Sequence, residues 1–234
     1  MGKYVVTDLT RFKEGNDDVC TALIDIESGQ CVRPTPYLKK EFVKGLGILP
    51  GSIVEGELSP VRGASRPHRE DCTYGELKVI GVVTASQFKK ILESSLSESV
   101  TSGFGPDFDG LKFLPVDTKS DRSIITVKIK PDSFRVEKDN FGKYKVHFDD
   151  LSGKSYRYIP ITDLGFHEYI KSIGVDGGDP VEEVNSHFKG AIDVYLRLGV
   201  SRVHEAAGKN GYWMQVNGIY SFPSKLHKIR GYAA

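Results

Sequence analysis

The stretch "LKVIGVVTASQFKKILESSL", residues 77–96, decides the fold because the hydrophobic period changes within it. Leu77–Thr84 is rich in Val and Ile and reads as a strand. From Thr84 onward, Phe88, Ile91, Leu92 and Leu96 fall at i, i+3, i+4 and i+8, one face of a helix. Thr84 and Gln87 are spaced for a capping box, in which each side chain reaches the other's backbone N–H. Upstream, Lys3–Thr7, Val19–Ile26, Gln30–Arg33 and Ile53–Leu58 carry the same strand signature, each bounded by Gly, Pro, Asn or Asp. Glu27-Ser28-Gly29 reads as a hairpin turn and Leu49-Pro50-Gly51 as a further turn. The first hundred residues therefore read as about five strands closed by a helix.

Residues 97–122 have Gly, Ser, Pro, Asp and a few aromatics without a period. They read as a connecting segment packed locally through Phe104, Phe108 and Phe113, and as the best place for a domain boundary. A second β-rich block follows. Ser123–Ile129 reads as an alternating strand, and Phe134–Lys138 and Lys143–Phe148 flank "DNFG", a hairpin signal ending in Gly142. Lys154–Ile161 is another strand. One helix starts near Thr162 or Asp163 and is expected to stop at Gly174; a second has Asp179 as N-cap, Pro180 at its first position and Gly190 at its end. Ala191–Val200 and Tyr212–Ile219 close the block as strands. The expectation is a mainly β protein with a few short helices, arranged as two tandem OB-like small β-barrels: residues 1–100, a connector at 101–122, and residues 123–234. Strand counting alone leaves SH3-like barrels or a mixed α+β sheet open.

Composition places the chain among ordinary globular proteins, with 39% hydrophobic and 27% charged residues. It has no apolar run long enough for a membrane span, and no secretory signal is read at the N-terminus. Met1-Gly2 is not read as a myristoylation site, because Val6 stands where Ser or Thr is needed. Cys20, Cys31 and Cys72 are an odd set without a Cys-x-x-Cys pair, which fits a reducing cytoplasm. Net charge is +1. Residues 1–100 carry 13 Lys+Arg against 14 Asp+Glu, and residues 101–234 carry 19 against 17. That balance argues against tight sequence-blind binding to a long polyanion. A local excess exists at the end, where Lys209, Lys225, Lys228 and Arg230 follow Glu205 with no further acid; it reads as a binding rim or as solvated surface.

Four segments carry possible chemistry. "RPHRED" gathers Arg66, His68, Arg69, Glu70 and Asp71. His68, Glu70 and Asp71 suit proton transfer or a metal, and so a metal-dependent hydrolase; the plainer reading pairs the carboxylates with Arg66 or Arg69, or has them cap a backbone. No ligand pattern joins His147, His167, His187, His204 or His227 to them, so neither a metal nor any other cofactor is expected. Arg33, in "CVRP", stands at a strand end, where its planar fork suits a phosphate or carboxylate, or pairs with Asp25 or Glu27 across the hairpin. In "YLRLGVSR", Arg197 alternates with Leu196 and Leu198, so it is expected to face outward or into a cleft, with Arg202 beyond the strand. "GYWMQVNGIYSFP" sets Gln215 and Asn217 beside Trp213 and Tyr220, a mixture that reads a base edge while a ring stacks on its face, or else a buried core strand. No Walker loop, nucleophile elbow or Rossmann glycine pattern is present.

These segments resemble the bacterial and archaeal dual OB-containing domain family. The resemblance rests on Thr7–Arg11 ("TDLTR"), Cys31–Pro34 ("CVRP"), His68 with Glu70 and Asp71, Leu196–Arg202 ("LRLGVSR") and Gln215–Pro223 ("QVNGIYSFP"), in order across nearly the whole chain. Val203 departs from the Pro expected after the last Arg. The resemblance implies two OB folds in tandem and a nucleic-acid or nucleotide recognition module, without supplying a reaction. The leading expectation is a module that binds single-stranded nucleic acid or a nucleic-acid end. Arg33, Arg197 and Arg202 would hold phosphates, Trp213 or Tyr220 would stack, and Gln215 and Asn217 would hydrogen-bond. The alternatives are a sensor of a small nucleotide-like anion lined by Arg33, His68, Glu70 and Asp71, and the hydrolase.

Overall fold

The computed structural model describes residues 1–12, 15–223 and 230–232. Its first block contains β1 (Gly2–Arg11), β2 (Asp18–Asp25), β3 (Cys31–Pro34), the two-residue β4 (Leu38–Lys39), α1 (Lys40–Gly45), β5 (Ser52–Pro60) and β6 (Asp71–Val82). β1 pairs with both β2 and β5, β5 with β6, β6 with β3, and β3 with β2. The five strands thus close into a ring. Every pair is antiparallel except β3–β6, and α1 lies in the chain between β3 and β5. Counted along the chain, the first strand meets the second and fourth, and the third meets the fifth: an OB-like barrel. Val6, Leu9, Val19, Leu23, Val32, Val54 and Leu77 fill it. The turns behave as read: Gly29 and Gly51 take φ of 70° and 101°, a conformation that needs no Cβ.

α2 (Ala85–Ser94) starts at Thr84, whose hydroxyl accepts from the Gln87 N–H in a capping box. Its buried face is Phe88 and Leu92; Leu96 lies past the helix end, in the short β7 (Leu96–Ser97), and is exposed. α2 does more than close the first barrel. Phe88 packs edge-on against Tyr220 at 4.9 Å and stacks on Tyr232 at 4.5 Å, so the helix joins Val5 of the barrel to Tyr195, Tyr220 and Phe222 of the second block. The connector is also less local than expected. α3 (Val100–Phe104) and Phe108 enter the second block's core, and β8 (Phe113–Pro115) pairs with that block's last strand.

The second block contains β9 (Ile124–Ile129), β10 (Arg135–Lys138), β11 (Tyr144–Asp149), β12 (Ser155–Pro160), α4 (Leu164–Val175), α5 (Pro180–Phe188), β13 (Asp193–Val200), β14 (His204–Ala206) and β15 (Lys209–Phe222). β13 is central, antiparallel to β9 and β15; β10, β11 and β12 form a separate three-stranded sheet. Single bridges connect the two, Ile129 with Asp150 antiparallel and Ile161 with Val216 parallel. Asp163 caps α4, which runs through Gly174 to Val175 rather than stopping there; Asp179 caps α5 as its sequence indicates. β9 and β13 do not alternate in burial, because nearly every residue of both is covered. One face packs on the block's own core; the other is covered by α2 and the first barrel. No described helix is long and apolar enough to cross a membrane.

Candidate functional site

The buried second face of β13 corrects the expected position of Arg197. It is 0% exposed. Its Nε and Nη2 donate to Asp8, at 3.0 and 2.8 Å from Oδ2, its Nη1 donates to Thr126 Oγ1 at 2.8 Å, and Nη2 also reaches Cys31 Sγ at 3.2 Å. Both ends of this ion pair sit at β-bulges: the β1–β2 register shifts between Val6 and Asp8, and the β13–β15 register shifts beside Arg197. A bulge re-aims a side chain that strict alternation would send elsewhere. Arg197 touches the inner end of a small cavity of about 360 Å³, but all three of its nitrogens have protein partners. Tyr220 is likewise withdrawn. It is buried against Phe88, its hydroxyl donates to the Thr7 carbonyl, and Arg230 lies over its ring at 4.7 Å, so no face is left to stack on a base.

"RPHRED" divides between three tasks. Arg66 makes two bonds to Asp121, at 2.7 and 3.3 Å, on the surface, and Arg69 approaches the same carboxylate at 3.6 Å. Glu70 is buried and clamps the two blocks together, accepting from the Ser123 N–H at 2.6 Å, the Ser123 hydroxyl at 2.9 Å and the Ile124 N–H at 3.1 Å. Burial raises its carboxyl above the usual range, opposed by Arg33 and the Ser123 bonds. Asp71 stands beside Arg33 because β3 and β6 run parallel with these two residues in register. The Arg33 partner is therefore Asp71, Nε to Oδ1 at 2.6 Å, and not Asp25 or Glu27. Arg202 adds a second guanidinium, with Nη2 at 2.9 and 3.1 Å from the same carboxylate. Burial alone would raise the Asp71 carboxyl; the two arginines outweigh it and hold it below its usual value. Neither carboxylate pairs with Arg66 or Arg69, and no metal-holding cluster of His, Cys, Asp and Glu occurs among the described residues.

His68 completes the group. It is 3% exposed, edge-on to Tyr212 at 5.4 Å, and neither ring nitrogen has a hydrogen-bond partner. Burial, then the nearby Arg33 and Arg202, push its imidazole down to about 3 against the weaker opposing pull of Asp71 and the Ser201 backbone, so it is neutral at pH 7. Arg33 donates from Nη1 to Ser123 Oγ at 3.1 Å and leaves Nη2 without a partner.

Arg33, His68 and Arg202 lie on one wall of a cleft of about 1200 Å³ between the blocks. The first block contributes Arg11, Phe12, Asn16, Cys20 and Tyr37; the second contributes Lys143, Tyr144, Lys145, His167 and Lys171. The cleft's inner seam is made where β1 meets the second block, through the Arg11 N–H to the Thr162 carbonyl at 2.9 Å and the Thr10–Asp163 bridge. Gln215 and Asn217 also line it. Asn217 is the extra residue of the β15 bulge, and Gly199 opposite has no Cβ, which would otherwise meet the Asn217 amide at 2.3 Å. Its Oδ1 accepts from Thr162 Oγ1 at 3.1 Å and Gln215 Nε2 at 3.0 Å. Among the described lining residues there are six lysines and arginines and no aspartate or glutamate. Asp71 behind the floor offsets Arg33 and Arg202, and Asp139 lies 3.7 Å from Lys145, so the positive field is strongest at the rim.

Of the residues singled out from sequence, Arg33, His68, Arg202, Gln215 and Asn217 come together in this cleft. Glu70 and Asp71 stand behind its floor, Arg197 and Tyr220 hold the blocks together, and Arg66 lies outside. Trp213 is half-buried away from the cleft, edge-on to Phe113 at 5.1 Å, with its indole N–H donating to the His204 carbonyl at 3.3 Å. Of the terminal basic residues, Lys209 lies over the Phe113 ring and Arg230 donates to buried Asp163, while Lys225 and Lys228, like His227, lie outside the described residues. Sequence reasoning missed Arg11, Phe12, Tyr37, Tyr144 and Lys171; "KYK" at 143–145, directly after the hairpin glycine, was the one legible signal.

No protein-family model matches this chain, and no curated protein does. Among solved structures, a murine DNA-binding protein bound with double-stranded DNA aligns over 92% of this chain and 97% of that chain, at 11% identity and a TM-score of 0.29. A score that low fixes neither a fold nor a ligand.

Proposed function

We propose that this protein binds single-stranded nucleic acid, or the single-stranded end of one, in the basic cleft, with an OB-like barrel on each side. The single observation that carries the reading is the charge of the lining: six cations, no carboxylate, and the aromatic rings Phe12, Tyr37 and Tyr144 interleaved with them. Cations along a groove track a phosphate backbone, and rings give unpaired bases a stacking surface. Position supports it as well. OB barrels bind through the face of their second and third strands and the loops joining first to second and fourth to fifth. In the first barrel those places hold Phe12 and Asn16, Cys20, Arg33 and His68, all on the cleft.

The second block supports the tandem arrangement. With β9 and β10 taken as one bent strand, the pairings β9/β10–β11, β11–β12, β12–β15 by its parallel bridge, β15–β13 and β13–β9 follow the same order as the first ring. α4 and α5 then fall between the third and fourth strands, where the first barrel has α1. The equivalent face and loops carry Lys143, Tyr144, Lys145 and Arg202, again on the cleft. The resemblance to dual OB-containing domains belongs to this same proposal.

A cleft of about 1200 Å³ exceeds the roughly 300–1,000 Å³ usual for a small-molecule site, which favours a short stretch of polymer over one nucleotide. Fluorescence anisotropy with labelled single-stranded DNA and RNA of about 20 nucleotides tests it. Six cations at about 0.7 each limit the slope of log affinity against log salt to about −4. Saturable binding with a slope inside that limit, weakened by Arg33→Ala, is the expected result. No binding at low salt sinks the polymer reading; a thermal shift with nucleotides under the same conditions would then move the site to a small anionic ligand.

A further inference from the structure

Two of the most deeply buried polar side chains in the cleft are unfinished. Arg33 is 3% exposed, yet its Nη2 lacks a partner, and the equally buried His68 has none at either ring nitrogen. Native proteins rarely leave such groups unpaired, and each exception calls for an explanation. Both residues line the same cleft, with these nitrogens just beneath its surface, so one ligand can complete both after a small movement of the floor.

The chemistry of the open positions selects that ligand. Arg33 Nη2 only donates. His68, held neutral by burial and its two arginine neighbours, offers one donor and one acceptor. A backbone phosphodiester has only acceptors at neutral pH and would set its oxygens against the His68 lone pair. Charge points the same way. Behind the floor, Asp71 and Glu70 stand against Arg33 and Arg202, so the deep end of the cleft is close to balanced. Lys143 and Lys171 are exposed, at the rim, with Asp139 offsetting part of the Lys143 charge. An anion gains more at the rim than at the floor. A planar group with mixed donors and acceptors fits the floor, and Phe12 and Tyr37, 5.0 Å apart on one wall, with Tyr144 on the other, supply flat apolar surface beside it.

We propose that one unpaired nucleobase enters the cleft edge-first and is read on its donor–acceptor edge by Arg33 and His68, while the sugar–phosphate backbone runs along the basic rim. This rests on the nucleic-acid reading above and adds to it an orientation, base inward and phosphate outward, and with it a preference among bases.

The experiment compares the wild-type chain, by anisotropy at fixed salt, on a labelled oligonucleotide of about 10 nucleotides and on the same backbone with every base replaced by an abasic residue. The abasic strand is expected to bind at least about tenfold more weakly with an unchanged salt slope. His68→Leu should weaken the base-bearing strand by at least about tenfold and leave the abasic strand unaffected. His68→Gln, which keeps a donor and an acceptor, should stay within about threefold of wild type. Equal binding of the two strands by wild type, or equal loss on both in His68→Leu, overturns the base seat while leaving the nucleic-acid reading intact. Absence of binding to either strand at low salt removes both. Should His68→Leu fail to fold, the wild-type comparison and His68→Gln still decide, since a base seat requires the first difference and the second retention.

Discussion

Two buried arginines join the same pair of blocks and are built to different ends. Arg197 and Arg33 each lie almost wholly inside, each pairs with an aspartate across the chain, and each also reaches a hydroxyl in β9 or at its start. Arg197 has a partner at every nitrogen. Arg33 stops one nitrogen short, beside a histidine with two more open positions. The difference teaches how to tell a saturated ion pair from one with a donor still open in this fold. Burial and pairing are common to both; the incomplete pair lines the larger space, about 1200 Å³ against about 360 Å³ beside Arg197. A saturated pair gives a ligand no reason to enter.

Breaking the saturated pair should give the largest effect. Arg197→Ala leaves Asp8, 1% exposed, without its counter-charge, along with orphaned Thr126. Removing one partner of a buried pair typically costs about 3–5 kcal/mol. Urea denaturation should show a loss of that order, with binding following the folded fraction. A loss below about 1 kcal/mol would mean that the Arg197–Asp8 pair does not hold the two blocks together. Arg33→Ala is expected to do the reverse. Asp71 keeps Arg202 as a partner, so stability should fall by only about 1–3 kcal/mol. Affinity for single-stranded nucleic acid, measured below the melting transition, should fall by about tenfold or more.

The pH dependence sharpens the same comparison. The folded value for His68 is depressed to about 3, against about 6.5 for an unfolded histidine. As pH falls below 6.5 the unfolded chain takes up a proton that the folded chain refuses. Stability is therefore full above pH 6.5 and declines as pH drops from there toward 3. Between pH 7 and pH 5 this one group removes about 2 kcal/mol. Urea midpoints at those two pH values should show wild type losing that much more than His68→Gln. Equal losses would mean that the imidazole is not held neutral inside.

The first barrel was legible because its hairpin, turns and cap are local: Gly29, Gly51 and the Thr84–Gln87 box each need only a few neighbouring residues. The contacts that make the candidate site are not local. Arg33 and Asp71 meet through a parallel strand pair 38 residues apart in sequence, and Asp8 and Arg197 lie 189 apart. Alternation misplaced Arg197 for two reasons that a period cannot register: β13 is covered on both faces, and a bulge in its partner strand shifts the register at that residue. The same bulge turns Asn217 toward the cleft and carries Tyr220 into the junction core. Trp213, the most conspicuous ring in the sequence, packs elsewhere, while Phe12 and Tyr37 were hidden in a loop and a strand end without a pattern.

The smallest expected effect separates rim from floor. Lys143 is exposed at the hairpin that the second block lends to the cleft, with no buried contact to lose. Lys143→Ala should leave the urea midpoint in place and remove about one phosphate contact. The slope of log affinity against log salt then becomes shallower by about 0.7 on a single strand. Arg66→Ala is the matched control, since Arg66 is also an exposed cation but is committed to Asp121 outside the cleft, and its slope should stay at the wild-type value. A change of equal size in both variants would mean that charge acts at a distance over the whole surface. A change in Lys143→Ala alone places the backbone on the rim, and leaves the uncharged edge of a base as the group that the incomplete Arg33–His68 floor is shaped to take.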